Sequence, residues 1–342
     1  MSTHASTLQA STIAVVGAYG LVGREALSIL AELGVSRERV QALGSSRSAG
    51  TVVPYADSEL TIAELREGGL AGCDLAIFCT DADTARAHVP LALNQGVRVV
   101  DNSSAFRLGD ATPLVVPEVN GSLLESGPML VANPNCSTIL LLLAIEPIRR
   151  AFGIEAVLAS TYQAASGAGR VAVRELFDQT RAVLDGRAAE ASVFPVPCAF
   201  NVFPHESPID AETGLNLEES KIIAESRKIL EEPDLDIVPT CIRVPVERCH
   251  SQSITIDLEQ PASLGSIAEV LGAFPGVAFN GDPAALVTPR HIAGTDLVSI
   301  SRPRLSRGGS RLSLWTCGDQ LRKGAALNAV QIAERLAGVA VG

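Results

Sequence analysis

Basic residues, aromatic rings and extended apolar stretches are all scarce in this 342-residue chain, and each scarcity removes a class of function. Lys and Arg number 27 against 38 Asp and Glu, a net charge of −11, so the electrostatic footprint of a nucleic-acid binder is missing. An anionic ligand would need a basic pocket built locally against that background. The longest unbroken apolar run, Ile139 to Ile145, stops far short of the roughly 20 residues that span a bilayer. Aromatics make up only 4% of an otherwise globular composition that is 47% hydrophobic and 19% charged. The seven cysteines are odd in number and include no C-x-x-C pair, which argues against zinc ribbons and redox dithiols and suits a reducing cytoplasm. No His/Cys/Asp cluster has ligand spacing, so no metal is expected. The first eleven residues lack a basic start and an apolar core; they read as a disordered tail over 1–11, not a signal peptide.

The length allows two domains with substantial cores. Short apolar runs at 12–16, 40–43, 75–79, 97–100 and 129–132 suit buried parallel strands. Helical spacing between them, at 24–33 and 84–94, predicts a doubly wound sheet whose ligands bind at the C-terminal strand ends. Beyond about residue 153 the texture changes. Strands are expected at 157–163, 241–247, 253–258, 296–302 and 311–317, with helices at 171–185, 217–230 and 264–273. That pattern is an α+β domain with a largely antiparallel sheet. An amphipathic helix at about 320–336 closes the pattern.

The turn Gly17-Ala18-Tyr19-Gly20-Leu21-Val22-Gly23 falls between the first strand and the first helix. Glycines there permit a tight turn and close approach of backbone to a pyrophosphate, so the turn reads as a dinucleotide site, although its spacing is G-x-x-G-x-x-G. The second strand ends in Ser45-Ser46-Arg47-Ser48 with no acid. Arginine with hydroxyls suits a 2′-phosphate, which favours NADP over NAD. Thr80, at the end of the third strand, joins the same set.

Asn133-Pro134-Asn135-Cys136-Ser137-Thr138 places a cysteine where turn residues give way to the 139–145 run, which reads as a helix. A thiol at a helix N-terminus faces unpaired N–H groups and the positive end of the dipole, both of which favour thiolate. Cys136 is therefore a candidate nucleophile. Cys73, Cys79, Cys198, Cys241 and Cys317 read as small buried hydrophobes. Cys249 neighbours His250, but adjacent strand residues point to opposite faces.

Together with the strings Ser160-Thr-Tyr-Gln-Ala-Ala-Ser-Gly-Ala-Gly169, Cys241-Ile-Arg-Val-Pro-Val246 and Glu247-Arg-Cys-His-Ser-Gln252, the cysteine motif resembles the aspartate-β-semialdehyde dehydrogenase family over nearly the whole chain. The sequence departs at Tyr19-Gly20-Leu21, where many members have Thr-Gly-Ala. The resemblance implies an NADP-binding Rossmann-like domain over 12–136, completed by a C-terminal helix over 318–342. It implies a catalytic and dimerisation domain over 137–317, and a homodimer or homotetramer. It implies that Cys136 attacks L-aspartyl-4-phosphate to give a thioester and inorganic phosphate, and that hydride from NADPH yields L-aspartate 4-semialdehyde. His250 would be the general acid/base, titrating near working pH, and Gln163 would orient the acyl group or a water. Asn135 would lie near the phosphate and the sulfur. Arg243 would clamp the α-carboxylate as a bidentate donor, Glu219 would pair with the α-ammonium, and Lys221 and Arg107 would bind the phosphate. Ser166 and Gly167 join the cofactor set, with Asn328 near the nicotinamide. Rival readings are another acyl-phosphate reductase, such as an N-acetylglutamyl-phosphate type, or an inactive NADP-binding paralogue; the latter would have lost Cys136 or His250.

Overall fold

The computed structural model describes residues 3–339 and divides the chain into two compact units, Met1–Asn135 with Ala325–Gly342, and Cys136–Gly324. The first unit opens with α1 (Thr3–Ala10), β1 (Ile13–Val16) and α2 (Leu21–Glu32). It continues through β2 (Val40–Gly44), the hairpin β3 (Val52–Tyr55) and β4 (Ser58–Thr61), then β5 (Ala63–Glu64) and β6 (Leu75–Phe78). There follow α3 (Ala82–Asn94), β7 (Arg98–Asp101), the short α4 (Pro117–Asn120) and β8 (Leu130–Ala132). Six of the strands form an all-parallel sheet in the order β5-β2-β1-β6-β7-β8. β1, β6 and β7 are buried at every residue, as expected for strands covered on both faces.

The expected tail at 1–11 is corrected, because it carries α1. Eight residues are too few for a stable isolated helix. Docking forms this one: Leu8 is buried, α1 packs on the last helix, and Gln9 Nε2 donates to Leu33 O at the end of α2 (2.7 Å). Residues 1 and 2 lie outside the described residues.

The second unit begins with α5 (Cys136–Phe152) and β9 (Ala156–Gln163), then α6 (Arg170–Leu184), β10 (Phe203–Pro204), α7 (Leu217–Leu230) and β11 (Asp236–Arg243). β12 (His250–Asp257), α8 (Leu264–Ala273), β13 (Val277–Asn280), α9 (Pro289–Ile292), β14 (Val298–Ser306) and β15 (Arg311–Gly318) complete it. Its seven strands run β10-β11-β9-β12-β15-β14-β13, antiparallel except for β11–β9 and β13–β14. The strand expected at 241–247 runs instead over Asp236–Arg243, with Pro239 inside it. β10 reaches only Ile242 and Arg243, so among the described residues no strand pairs with this edge of β11 beside Pro239, and a missing N–H costs little there. Among the described residues, no helix is long and apolar enough to cross a membrane.

α5 anchors the second unit. Ile139, Leu140, Leu141, Leu142, Leu143, Ile145 and Ile148 are all buried, each contributing roughly 1.5–3 kcal/mol. Leu140 fits against Gly318, where a Cβ would come within 2.6 Å of its Cδ2. The helix start that carries Cys136 is thus fixed by a packed core. After β15 a π-helical turn, Arg322–Ala326, leads into α10 (Leu327–Ala337), which supplies core residues to the first unit.

Candidate active site

Three adjacent strands of the second unit deliver chemistry to one end of their sheet. β9 and β11 run parallel with Gln163 opposite Arg243, so both strands finish together. β12 runs antiparallel to β9 and starts there with His250. Cys136 is the first residue of α5 and is only partly buried. Gly324, on the π-helical turn, lies against it: a Cβ at Gly324 would sit 3.1 Å from Cys136 Cβ. Burial pushes Cys198 and Cys317 up to about 11 and Cys79 up to about 12, and raises Cys73, Cys241 and Cys249 as well.

Gln163 is buried, and its amide nitrogen donates to Ser137 Oγ (2.7 Å) and Glu218 Oε1 (3.0 Å). A carboxylate cannot donate, so Glu218 fixes which way the amide points. Gln163 Oε1 has no partner among the described residues. Gln252 Nε2 holds the Ser137 carbonyl (2.8 Å), which further locks the turn after Cys136.

His250 is also buried. Its Nδ1 accepts the Ala164 N–H (3.0 Å), so the hydrogen of a neutral ring sits on Nε2, which has no partner among the described residues. Burial, reinforced by the Arg243 charge, lowers its pKa to about 3 against an opposing pull from Glu218. This corrects the expectation of a ring titrating near working pH: His250 is neutral and presents Nε2–H. The space before it belongs to Gly167, where a Cβ would meet His250 Nε2 at 3.3 Å and Arg243 Nη1 at 3.5 Å.

Arg243 is almost wholly buried. Its Nε and Nη2 pair bidentately with Glu206 (3.2 and 2.6 Å), Nη2 lies 3.0 Å from His205 Nε2, and Nη1 donates to Ala164 O (2.6 Å). Phe194 stacks on the guanidinium at 5.2 Å. The bidentate edge expected for a ligand carboxylate is therefore taken by Glu206.

Glu219 requires a second correction. It is the third residue of α7 and closes a capping box with Asn216: Asn216 Oδ1 accepts the Glu219 N–H while Glu219 Oε2 accepts the Asn216 N–H (both 2.9 Å). Its other oxygen accepts the Cys241 N–H (2.9 Å), so the carboxylate is committed to backbone. Glu218, one residue earlier, holds Gln163 and lies 3.5 Å from Lys221 Nζ. Sequence reading missed Glu218, Ser137, Glu206, His205 and Gly324. The Asn216-x-x-Glu219 spacing was a legible signal for the first, and Ser137 lies within the cysteine motif; Glu206, His205 and Gly324 carry no motif.

In the first unit the glycine turn has the geometry of a phosphate cradle. Gly17 has φ +86° and lies so close to the end of β6 that a Cβ would meet Cys79 O at 2.3 Å. Gly23 packs as tightly on Gly17 O, which brings α2 down onto the turn. No side chain caps the start of α2 at Gly20, so Leu21, Val22 and Gly23 open the helix with N–H groups that suit an anion. The Tyr19 ring lies under the Arg24 guanidinium (5.1 Å), beside the turn. Ser45, Ser46 and Arg47 are exposed at the end of β2, whereas Ser48 folds back onto Ser45 O (3.0 Å). Thr80 is half-buried after β6.

Arg107 is buried and donates to Asn102 O (2.8 Å), and Asn135 is buried at the end of this unit. Asn328 is buried, and its amide hydrogens are committed to Val115 O (3.0 Å) and Asn133 Oδ1 (2.7 Å). These bonds tie α10 to the segment before Cys136. Ser166, in the second unit, is likewise engaged, donating to Glu247 O and accepting from Gln320.

Comparisons with known proteins agree with this division. A family model described as semialdehyde dehydrogenase, NAD binding domain, matches residues 12–126, and one described as semialdehyde dehydrogenase, dimerisation domain, matches 145–323. The chain is 40% identical over 336 residues to the aspartate-semialdehyde dehydrogenase of Bacillus subtilis, covering 95% of this chain and 96% of the relative. It is 40% identical over 333 residues to that of Aquifex aeolicus, covering 95% and 97%. The crystal structure of aspartate semialdehyde dehydrogenase II complexed with ASA from Vibrio cholerae superposes with a TM-score of 0.91 at 34% identity, covering 95% and 98%.

Proposed function

The chain belongs to the aspartate-semialdehyde dehydrogenase family, and we propose on that premise that it converts L-aspartyl-4-phosphate to L-aspartate 4-semialdehyde through a thioester on Cys136, with NADPH as reductant. The Cys136 thiolate forms a C–S bond to the acyl carbon as the C–O bond to phosphate breaks and inorganic phosphate leaves. NADPH, held by the Gly17–Gly23 turn with Arg47, Ser45 and Ser46 at its 2′-phosphate and Thr80 beside it, supplies hydride when bound. The neutral His250 ring donates a hydrogen bond from Nε2–H to the oxygen that gains charge on the reduced carbon; as the C–S bond breaks, that oxygen's electron pair re-forms the carbonyl, which releases the aldehyde and restores the thiolate.

Glu218 replaces Glu219 as the carboxylate for the α-ammonium, since Gln163 and Lys221 hold it at the site end of the sheet while Glu219 caps α7. Arg243 meets the α-carboxylate. Arg107 and Lys221 serve the phosphate, Asn135 lies near the phosphate and the sulfur, and Gln163 orients the acyl group, as the resemblance implies. The observation that carries the reading is the convergence of Gln163, Arg243 and His250 at three strand ends, with His250 Nε2–H facing the Gly167 opening. A homodimer through the dimerisation domain completes the proposal.

The test is reduction of NADP by the purified protein with L-aspartate 4-semialdehyde, with and without inorganic phosphate. Phosphate-dependent NADPH formation that vanishes in Cys136→Ala, with NADP binding retained, is expected. Turnover at the wild-type rate in Cys136→Ala would refute the covalent route.

A further inference from the structure

Arg243 carries a full positive charge at 2% exposure, a placement that is costly unless the charge is paired and every donor satisfied. Glu206 does both. It takes the Nε/Nη2 edge bidentately, and its own carboxyl, though pushed up by burial, is held below the usual range by the hydrogen bond and charge of Arg243 and by His205. His205 accepts at Nη2, and the Phe194 ring covers one face. These partners leave one corner of the guanidinium. Nη1 donates one hydrogen to Ala164 O at 2.6 Å, while the other reaches only a long bond to Gln163 O at 3.5 Å. That same corner borders the Gly167 opening, next to His250 Nε2.

We infer that Glu206, seconded by His205, is a positioning residue: it grips the far edge of Arg243 so that the substrate's α-carboxylate is met by the Nη1 corner alone, beside His250 Nε2–H. The inference rests on the function proposed above. A free arginine side chain loses much of its rotamer freedom on binding, and a guanidinium already ordered in the empty site loses almost none. The pairing also sets how much charge the substrate meets. An unpaired arginine would attract any anion, whereas a neutralised pair with one presented N–H selects by position. The Glu206 side chain remains partly accessible, at 18%, so it can be altered without opening the core.

The experiment compares wild type, Glu206→Ala, Glu206→Asp and Glu206→Gln on two aldehydes, L-aspartate 4-semialdehyde and 3-aminopropanal, which lacks the α-carboxylate. Glu206→Ala is expected to raise KM for the semialdehyde at least about tenfold with kcat within about threefold, and to leave kcat/KM for 3-aminopropanal unchanged. Glu206→Asp recovers most of the loss. Should Glu206→Ala lack a cooperative melt, the near-isosteric Glu206→Gln carries the same comparison. Equal losses on both aldehydes would reduce Glu206 to structural support and overturn the inference, as would an unchanged KM. A lowered KM would make Glu206 a competitor for Arg243 and overturn it equally. Wild type inactive on the semialdehyde would instead fail the proposed function, and this inference with it.

Discussion

Placing a single methyl group at Gly167 tests the site most directly. Gly167 lies in a 3-10 turn, Ala165–Ala168, with a backbone conformation that alanine adopts freely. Its Cβ would stand 3.2 Å from His250 Cε1 and 3.3 Å from Nε2, closer than carbon contacts settle, so the ring must yield by a few tenths of an ångström. The methyl would also fill the opening shared by Nε2 and Arg243 Nη1. A misplacement of about 1 Å costs on the order of 10²-fold in rate, so the displacement together with the lost space should lower kcat/KM roughly 10- to 100-fold. Stability should hold or fall modestly. Removing a glycine contributes about 0.4–1 kcal/mol through the unfolded chain, against an overpacking cost of about 1–3 kcal/mol at a half-open site. The assay pairs phosphate-dependent NADPH formation with thermal melting. Activity within twofold of wild type would show that substrate does not pass this opening. An activity loss accompanied by a large drop in melting temperature would mean that the ring, not the opening, was disturbed. A rise confined to the KM for NADP would return Gly167 to the cofactor set.

The two neighbouring glutamates should separate cleanly: Glu218→Gln raises KM for the semialdehyde with little change in melting, whereas Glu219→Ala loses about 0.5–2 kcal/mol as a broken cap and changes KM less, read by kinetics and melts on both variants. Arg47→Glu should shift the kcat/KM ratio from NADP toward NAD; an unmoved ratio would remove Arg47 from the 2′-phosphate. His250 binds its proton less readily folded, near pH 3, than unfolded, near 6.5, so its contribution is complete above about 6.5 and is lost as pH falls through that window. The pH dependence of stability between about 6.5 and 3, measured by denaturant titration, should therefore be shallower in His250→Gln, and an identical slope would contradict the buried neutral ring.

What the sequence disclosed depended on how local the signal was. The helix at 264–273 was expected with its observed bounds, and the cap formed by Ser263 with Ser266 gives it a sharp local start. Cys136 stood out since its turn and its helix adjoin in the chain. Glu218 and Glu219 differ by one position, and composition could not choose between them; the cap formed with Asn216 does. The grip of Glu206 on Arg243 spans 37 residues and depends on β10 meeting β11, a two-residue strand with no periodicity to detect. α1 was hidden for a related reason: its one visible anchor, Leu8, matters only because α10 is there to receive it.

The two units are not consecutive in the chain, and this sets an order of synthesis. The second unit is one uninterrupted segment, Cys136–Gly324, whose first and last residues lie side by side, so it can close as soon as it has left the ribosome. The first unit is begun earlier and finished later. Leu327, Val330, Ile332 and Leu336 of α10 belong to the core around β1 and α2, and α10 is made only after the whole second unit. At about 5–20 residues per second, that interval is on the order of ten to forty seconds. Through it, the older part of the nascent chain waits with one face of its core exposed, the part most open to chaperones and proteases.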